Sequence, residues 1–208
     1  MKRLILLLVF ASCYLYGNAQ IKTVYFDEDD QVISDSTQAV SYAIIGKVSS
    51  DSVYTVKKFD AEGYMMMTGS YKDDELQVPH GNFVYYDWVQ LISPLGNNLL
   101  PANGKERFIK LKGAFKNGLR EGLWLTYYQD NSLKDAIQYK NNLMNGEYRH
   151  FDTKGNLEVV GHFVNNKREG SWTFKAGRVI SQYQNDKVVS TVRKSKKELE
   201  LEKSAKKQ

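Results

Sequence analysis

Aromatic residues return along this chain at a fixed interval, each set close to a glycine. The segment GAFKNGLREGLW at 113–124 aligns with IQYKNNLMNGEY at 137–148 and with GHFVNNKREGSW at 161–172. Phe115, Tyr139 and Phe163 stand 24 residues apart, as do Gly122, Gly146 and Gly170, and Trp124, Tyr148 and Trp172. The frame continues upstream in Gly69 to Tyr71 and Gly81 to Phe83. Downstream it reaches Tyr183 to Ser190, with serine at the glycine position, as a terminal repeat with nothing packed beyond it would have. Stretches such as 157–163 and 179–183 mix apolar and polar residues at strand length. They are separated by turn residues at Asn117-Gly118, Asp130-Asn131, 154–156 and Ala176-Gly177. No proline lies beyond 113, which suits strands whose every N–H is needed in a ladder. The pattern predicts an all-β fold: an elongated antiparallel meander of hairpin repeats over 69–190.

The repeated glycine has two physical explanations. It lets a neighbouring ring lie against bare backbone, or it supplies a positive φ. Trp124, Tyr148 and Trp172 are expected to stack along the sheet, with Phe115, Tyr139, Phe163 and Tyr183 beside them. Tyr86, Tyr127 and Phe151 follow Phe83, Trp124 and Tyr148 by three residues. Strict alternation puts them on the opposite face, unless a bulge returns them.

With these motifs in view, the chain resembles the variant MORN-repeat family, whose bacterial members are often labelled antitoxin-like. The shared pattern is a glycine, an aromatic and an Asn-Gly turn, then Glu-Gly-x-Trp. It runs over Gly113 to Leu133 and again over Gly161 to Val179, with a weaker copy between. Val24 to Tyr71 is similar to the lead-in of exported members. The resemblance implies a hairpin-repeat sheet used for binding or scaffolding, without an active site of its own.

Outside the repeats, residues 1–19 read as a signal peptide: Lys2 and Arg3, an apolar run from Leu4 to Ala11, and small residues at 17–19. The mature chain would begin at Gln20, without cysteine, in the periplasm or outside the cell. The rival reading makes Cys13 a lipidated N-terminus anchored to a membrane. Residues 20–68 read as capping strands at 22–26, 43–48 and 53–59, followed by Gly63 to Met67. Residues 191–208 form a charged tail, expected to be a frayed helix or disordered.

Between Phe83 and Phe115 about 17 residues are added to the repeat. This insert, about 87–107, carries Trp88, Leu91, Ile92, Leu95 and Leu99. It reads either as cover for one sheet face or as a binding surface, and those five residues are the candidate site.

Charge narrows the partner class. The chain carries 29 basic and 24 acidic residues, but the excess sits at its ends; residues 20–186 hold 19 basic and 21 acidic residues. A near-neutral body lacks the basic stripe that nucleic acid requires. His80, His150 and His162 do not make a metal site, because His150 is expected to face 157–158 and His162 to face Gly146. Asp27 to Asp30 reads as a turn before it reads as a calcium loop. No nucleophile or phosphate-binding motif is present. No catalytic residue, metal or cofactor is therefore assigned. The expected function is an exported, non-catalytic β-repeat scaffold that binds another protein. The alternatives are an envelope module that contacts lipid head groups or cell-wall glycan, and an antitoxin-like protein.

Overall fold

The computed structural model describes residues 20–47, 52–92, 99–101 and 106–205, with the backbone alone at 91–92, 99–101 and 202–203. The signal segment, Cys13 and Leu95 lie outside the described residues. Two compact units are present, residues 1–80 and 81–208. Each is an antiparallel sheet.

The first unit holds β1 (Gln20–Phe26), β2 (Val32–Ile33), β3 (Ser41–Lys47), β4 (Tyr54–Asp60) and β5 (Met65–Tyr71), in the order β5-β4-β3-β1-β2. Alternation sets its core. Ser41, Ala43 and Ile45 are buried on one face of β3, and Val56 and Met67 join them from β4 and β5. On the other face Tyr42 stacks on Phe59 at 5.3 Å. The acidic run is a turn: Asp27 Oδ1 accepts from Asp29 N at 3.0 Å and Gln31 N at 2.8 Å. Asp30 pairs with Lys58.

The second unit holds nine strands in one sheet: β6 (Gly81–Trp88), β9 (Arg107–Lys116), β10 (Leu119–Tyr127), β11 (Leu133–Lys140), β12 (Leu143–Phe151), β13 (Leu157–Val164), β14 (Lys167–Phe174), β15 (Val179–Gln184) and β16 (Lys187–Arg193). Each hairpin from β9 on follows its neighbour without crossover. The insert is itself a small hairpin, in which β7 (Gln90–Ile92) pairs with β8 (Leu99–Pro101). Asp87, Trp88 and Arg107, read from sequence as part of the insert, belong to the main ladder.

Three devices recur with the repeat. The first is the turn. Both central residues have positive φ at Asn117-Gly118, Asn141-Asn142, Asn165-Asn166 and Asn185-Asp186. This is the two-residue turn whose twist matches paired strands. Asparagine and glycine are there because they enter the left-handed region at least cost.

The second is a clamp between repeats. Asn142 N donates to Arg120 O at 3.0 Å, while Asn142 Oδ1 accepts from Arg120 N at 2.6 Å. Asn166 does the same to Met144, and Asp186 to Arg168. The glutamate of the Glu-Gly motif serves the neighbouring turn residue: Glu121 accepts from Asn141 N at 3.0 Å and Glu169 from Asn185 N at 2.8 Å.

The third device is a wide bulge with a ring seated in it. Along β10, residues 122–124 stand opposite Gly113 alone, and along β14 residues 170–172 stand opposite Gly161 alone. Gly122 and Gly170 have φ of +71° and +69°, and a Cβ on either would meet open space. Positive φ is therefore their requirement, and the close-approach account does not hold for them. Close approach belongs to Gly113 and Gly161. A Cβ there would fall 2.2 Å from Trp124 Cδ2 and 2.1 Å from Trp172 Cδ2. Each indole also donates to the carbonyl one residue on, Ala114 or His162, at 3.2 Å.

The middle repeat has Ile137 where the others have that glycine, and Tyr148 where they have tryptophan. A ring cannot sit on isoleucine. Tyr148 accordingly stays in register with Ile137, and the bulge moves by one, placing residues 145–147 opposite Gln138. Gly146 has φ of +130° and a would-be Cβ only 2.7 Å from Gln138 Cβ, so it meets both requirements.

The expected ring ladder is present, with the two aromatic sets alternating in two runs of four. Phe83, Phe115, Trp124 and Tyr139 follow one another at centroid spacings of 4.9, 4.9 and 6.1 Å. Tyr148, Phe163, Trp172 and Tyr183 follow at 5.8, 4.9 and 6.0 Å. Trp124 and Trp172 are 2% and 3% exposed, so these rings are the core of the sheet.

Smaller bulges also occur where they were considered, with Lys110, Lys134 and Glu158 as the extra residues. They do not bring Tyr127 back to the ring face. Lys112, which pairs with Val84 and Leu125 on the other face, has Nζ 5.2 Å from the Tyr127 ring. Both faces therefore carry aromatics. The Glu158 bulge also shifts the histidine register from that expected: His150 pairs with Val159, and His162 pairs with Glu147.

The tail is ordered as α1 (Lys196–Ala205). Ser195 and Glu198 cap each other's backbone N–H reciprocally, the S-x-x-E box. Leu199 reaches toward the β14–β15 loop, 3.5 Å from where a Cβ on Gly177 would stand.

The two glycine roles predict different mutational behaviour. Gly161→Ala should cost about 1–3 kcal/mol by overpacking, and most of that should vanish in the Trp172→Tyr background. Gly122→Ala should cost about 1–2 kcal/mol from backbone strain whatever residue stands at 124. Urea unfolding of Gly161→Ala, Trp172→Tyr, Gly122→Ala, Trp124→Tyr and the two double variants measures both; equal Gly161→Ala costs in the two backgrounds would show that the ring is not the obstacle.

Candidate functional site

An open groove of about 610 Å³ lies where β6, β9, β10 and β11 meet the turn after β10. β6 supplies Tyr85, β9 supplies Phe108, Lys110 and Leu111, and β11 supplies Lys134 and Asp135. Thr126 to Gln129 close one side. Sequence neighbours line the same groove because Lys110 and Lys134 are the extra residues of bulges, which break the alternation that would otherwise send them to the other face.

The lining is aromatic with a few placed charges. Phe108 is buried. Lys110 Nζ holds Asp87 Oδ2 at 2.7 Å, and Lys134 Nζ lies 5.6 Å from the Tyr128 ring centroid. Tyr128 OH donates to Phe151 O at 2.8 Å, so that ring is fixed from the next hairpin. Burial raises the Tyr85 hydroxyl pKa, which keeps it neutral and a donor.

Asp135 is the electrostatic centre. Its Oδ2 accepts from Thr126 Oγ1 at 2.7 Å; its Oδ1 accepts from Tyr148 OH at 2.9 Å and lies 2.8 Å from His150 Nδ1. Burial works to raise the Asp135 pKa, but the bonds from Thr126, His150 and Tyr148 outweigh it, and the net shift is downward. The same burial and the bond to Asp135 push the Tyr148 hydroxyl well above its ordinary value. Thr126 and His150 both bind the carboxylate and do not form the hydroxyl-to-imidazole-to-carboxylate order of a nucleophilic relay. The cluster ties β10, β11 and β12 together beside the groove.

The insert meets this groove at its foot. Gln90 N donates to Gln129 Oε1 at 3.1 Å. Trp88 ends β6 half-buried, with the Arg107 guanidinium 4.1 Å over its ring. Leu91 pairs with Leu100, and Ile92 with Leu99, across the small hairpin. Gly122, Trp124, Gly146, Tyr148, Gly170 and Trp172 are all in the repeat sheet, where they build structure. Among the described residues no group of three or more His, Cys, Asp or Glu is placed to hold a metal ion. No described helix is long and apolar enough to cross a membrane.

Sequence reasoning passed over several residues. Asp135 occupies the place where the neighbouring repeats have Leu111 and Val159, and that departure was its signal. Arg120 and Arg168 cap the ring row: Arg120 Cζ lies 4.7 Å from the Trp124 centroid and 5.4 Å from that of Tyr139, and Arg168 Cζ lies 4.3 Å from that of Tyr183. Their spacing of two repeats was visible.

Residues 120–141 and 144–165 match the model of the MORN repeat variant family. No curated protein and no solved structure matches the chain.

The Asp135 cluster predicts an acid limb. A carboxylate with a lowered folded pKa contributes stability above its unfolded value, about pH 4, and loses it as pH falls through the folded value. Asp135→Asn should cost about 1.5–3 kcal/mol at pH 7, and the cost should shrink as pH is lowered below about 4. Urea midpoints along a pH series from 7 downward measure this; a cost that stays the same throughout would mean that the charge of Asp135 does not hold the cluster.

Proposed function

We propose that this protein is an exported, non-catalytic β-repeat module that binds another protein through the groove at the foot of the insert. The observation that carries the reading is the groove itself. Tyr85, Leu111 and Tyr128 offer apolar contact area, while Lys110 and Lys134 stand among them. Rigid aromatics with a few polar groups are the composition of protein-binding surfaces. The match to a MORN repeat variant over residues 120–165 supports a repeat module with a binding role.

The repeat chemistry supports the absence of catalysis in this reading. Glu121, Glu169, Asn142, Asn166 and Asp186 are engaged in clamps between repeats. Asp135 has its two oxygens taken by three donors. Export rests on Lys2, Arg3 and the apolar run to Ala11.

Cross-linking in the native envelope fraction should trap one protein with the natural chain. Trapping should fall at least tenfold with Lys110→Gln combined with Lys134→Glu, at an unchanged thermal midpoint. Undiminished trapping would remove the groove from the account, and binding to cell-wall glycan or lipid vesicles in its place would reassign the partner class. The mass of the mature chain checks export: a start at Gln20 is expected, and retention of residues 1–19 would contradict it.

A further inference from the structure

All seven residues of β16 are exposed, Val188, Val189 and Val192 at 55%, 66% and 57%. Among the described residues β16 is terminal in the strand order, with β15 beside it on one side. The direction of its hydrogen bonds follows from the ladder. Lys194 N donates to Arg178 O at 2.9 Å, and the register sets these two residues opposite each other, so they stand at a hydrogen-bonded position of the ladder. Such pairs alternate along an antiparallel ladder. Val192 opposite Ile180 and Ser190 opposite Gln182 are therefore bonded pairs too. Thr191 and Arg193, between them, turn their N–H and C=O away from β15. The bulge at Val189 ends this regular stretch.

An open edge with uncharged, β-branched residues is a template for another strand. The charges select which strand. Lys187 and Arg193 flank the uncharged run 188–192, both are exposed, and among the described residues neither forms an ion pair. Asp186, the adjacent carboxylate, is held by Arg168 at 2.8 Å. Antiparallel pairing with a second copy would bring Lys187 and Arg193 of both copies to one seam with no free carboxylate between them, which is unfavourable. A strand with acidic ends matches them.

We propose that β16 is a docking edge for an extended, acid-flanked polypeptide strand of another protein, which adds to the stretch Ser190 to Arg193 as the next strand of the sheet. Main-chain bonds to Thr191 and Arg193 supply the attachment, and Lys187 and Arg193 select the acidic ends. The site lies apart from the groove of β6 to β11, so each can fail without the other.

The test uses the mature chain and the labelled, blocked heptapeptide EVTVTVD. Amide exchange at Thr191 and Arg193 should slow at least tenfold at saturating peptide. Thr191→Pro removes the outward N–H without removing a ladder bond to β15, and should weaken binding at least tenfold. Thr191→Ala keeps the N–H, loses only the hydroxyl contact to Ser181, and should bind like the natural chain. The peptide KVTVTVK should bind at least tenfold more weakly. Unslowed exchange at Thr191 and Arg193 overturns the proposal, and so does unchanged affinity of a folded Thr191→Pro variant. A dimer that sediments without peptide and is lost in that variant also overturns it, because the edge then belongs to a second copy. If Thr191→Pro does not fold, the exchange measurement on the natural chain decides.

Discussion

An indole resting on backbone that has no side chain is the contact from which the repeat sheet is built. Trp124 over Gly113 and Trp172 over Gly161 each need three residues on one strand to face one on the next, and this needs a residue that bends the strand through positive φ. Gly122 and Gly170 supply it. The ring, the glycine beneath it and the glycine before it therefore form one unit, and none of the three is useful alone. Where isoleucine replaces the lower glycine, at 137, the ring shrinks to tyrosine and the bulge slides by one residue. The local geometry thus changes in the direction that the contact requires.

A sheet of one layer buries little, so the unit needs lateral support. The turn residues provide it by bonding back to the preceding hairpin, and Arg120 and Arg168 cover the ring row. This distributes the motif over distinct jobs: asparagine for the turn and clamp, arginine for the ring, glutamate for the next turn, glycine for the bend, tryptophan for the core. Smaller bulges, distinct from those that seat the rings, place Lys110 and Lys134 in the groove.

The period, the strands and the turns were legible in the sequence because each repeats at 24 residues and each has a local cause. Which glycine meets a ring was not. Gly113 and Gly122 flank the same hairpin, and only the three-against-one count of the bulge shows that Trp124 lies over the first. The same blindness to bulges displaced the expected partners of His150 and His162 by one residue. The groove was hidden for a different reason: Tyr85, Phe108, Thr126 and Lys134 come from four strands, and no spacing joins them. The ten-residue helix of the tail rests on Ser195 and Glu198, a capping pair overlooked when the charged tail was read as a frayed helix or disordered.

The contact at the centre of this account has a direct spectroscopic signature. A ring lying face-on against a Cα shifts the attached protons strongly upfield. In a proton NMR spectrum of the mature chain, the Hα resonances of Gly113 and Gly161 should be displaced upfield and give strong cross-relaxation with the Trp124 and Trp172 indoles. Gly46, with nothing within 4 Å of its missing side chain, should resonate normally. Ordinary positions for Gly113 and Gly161, without cross-relaxation to the indoles, would contradict the account.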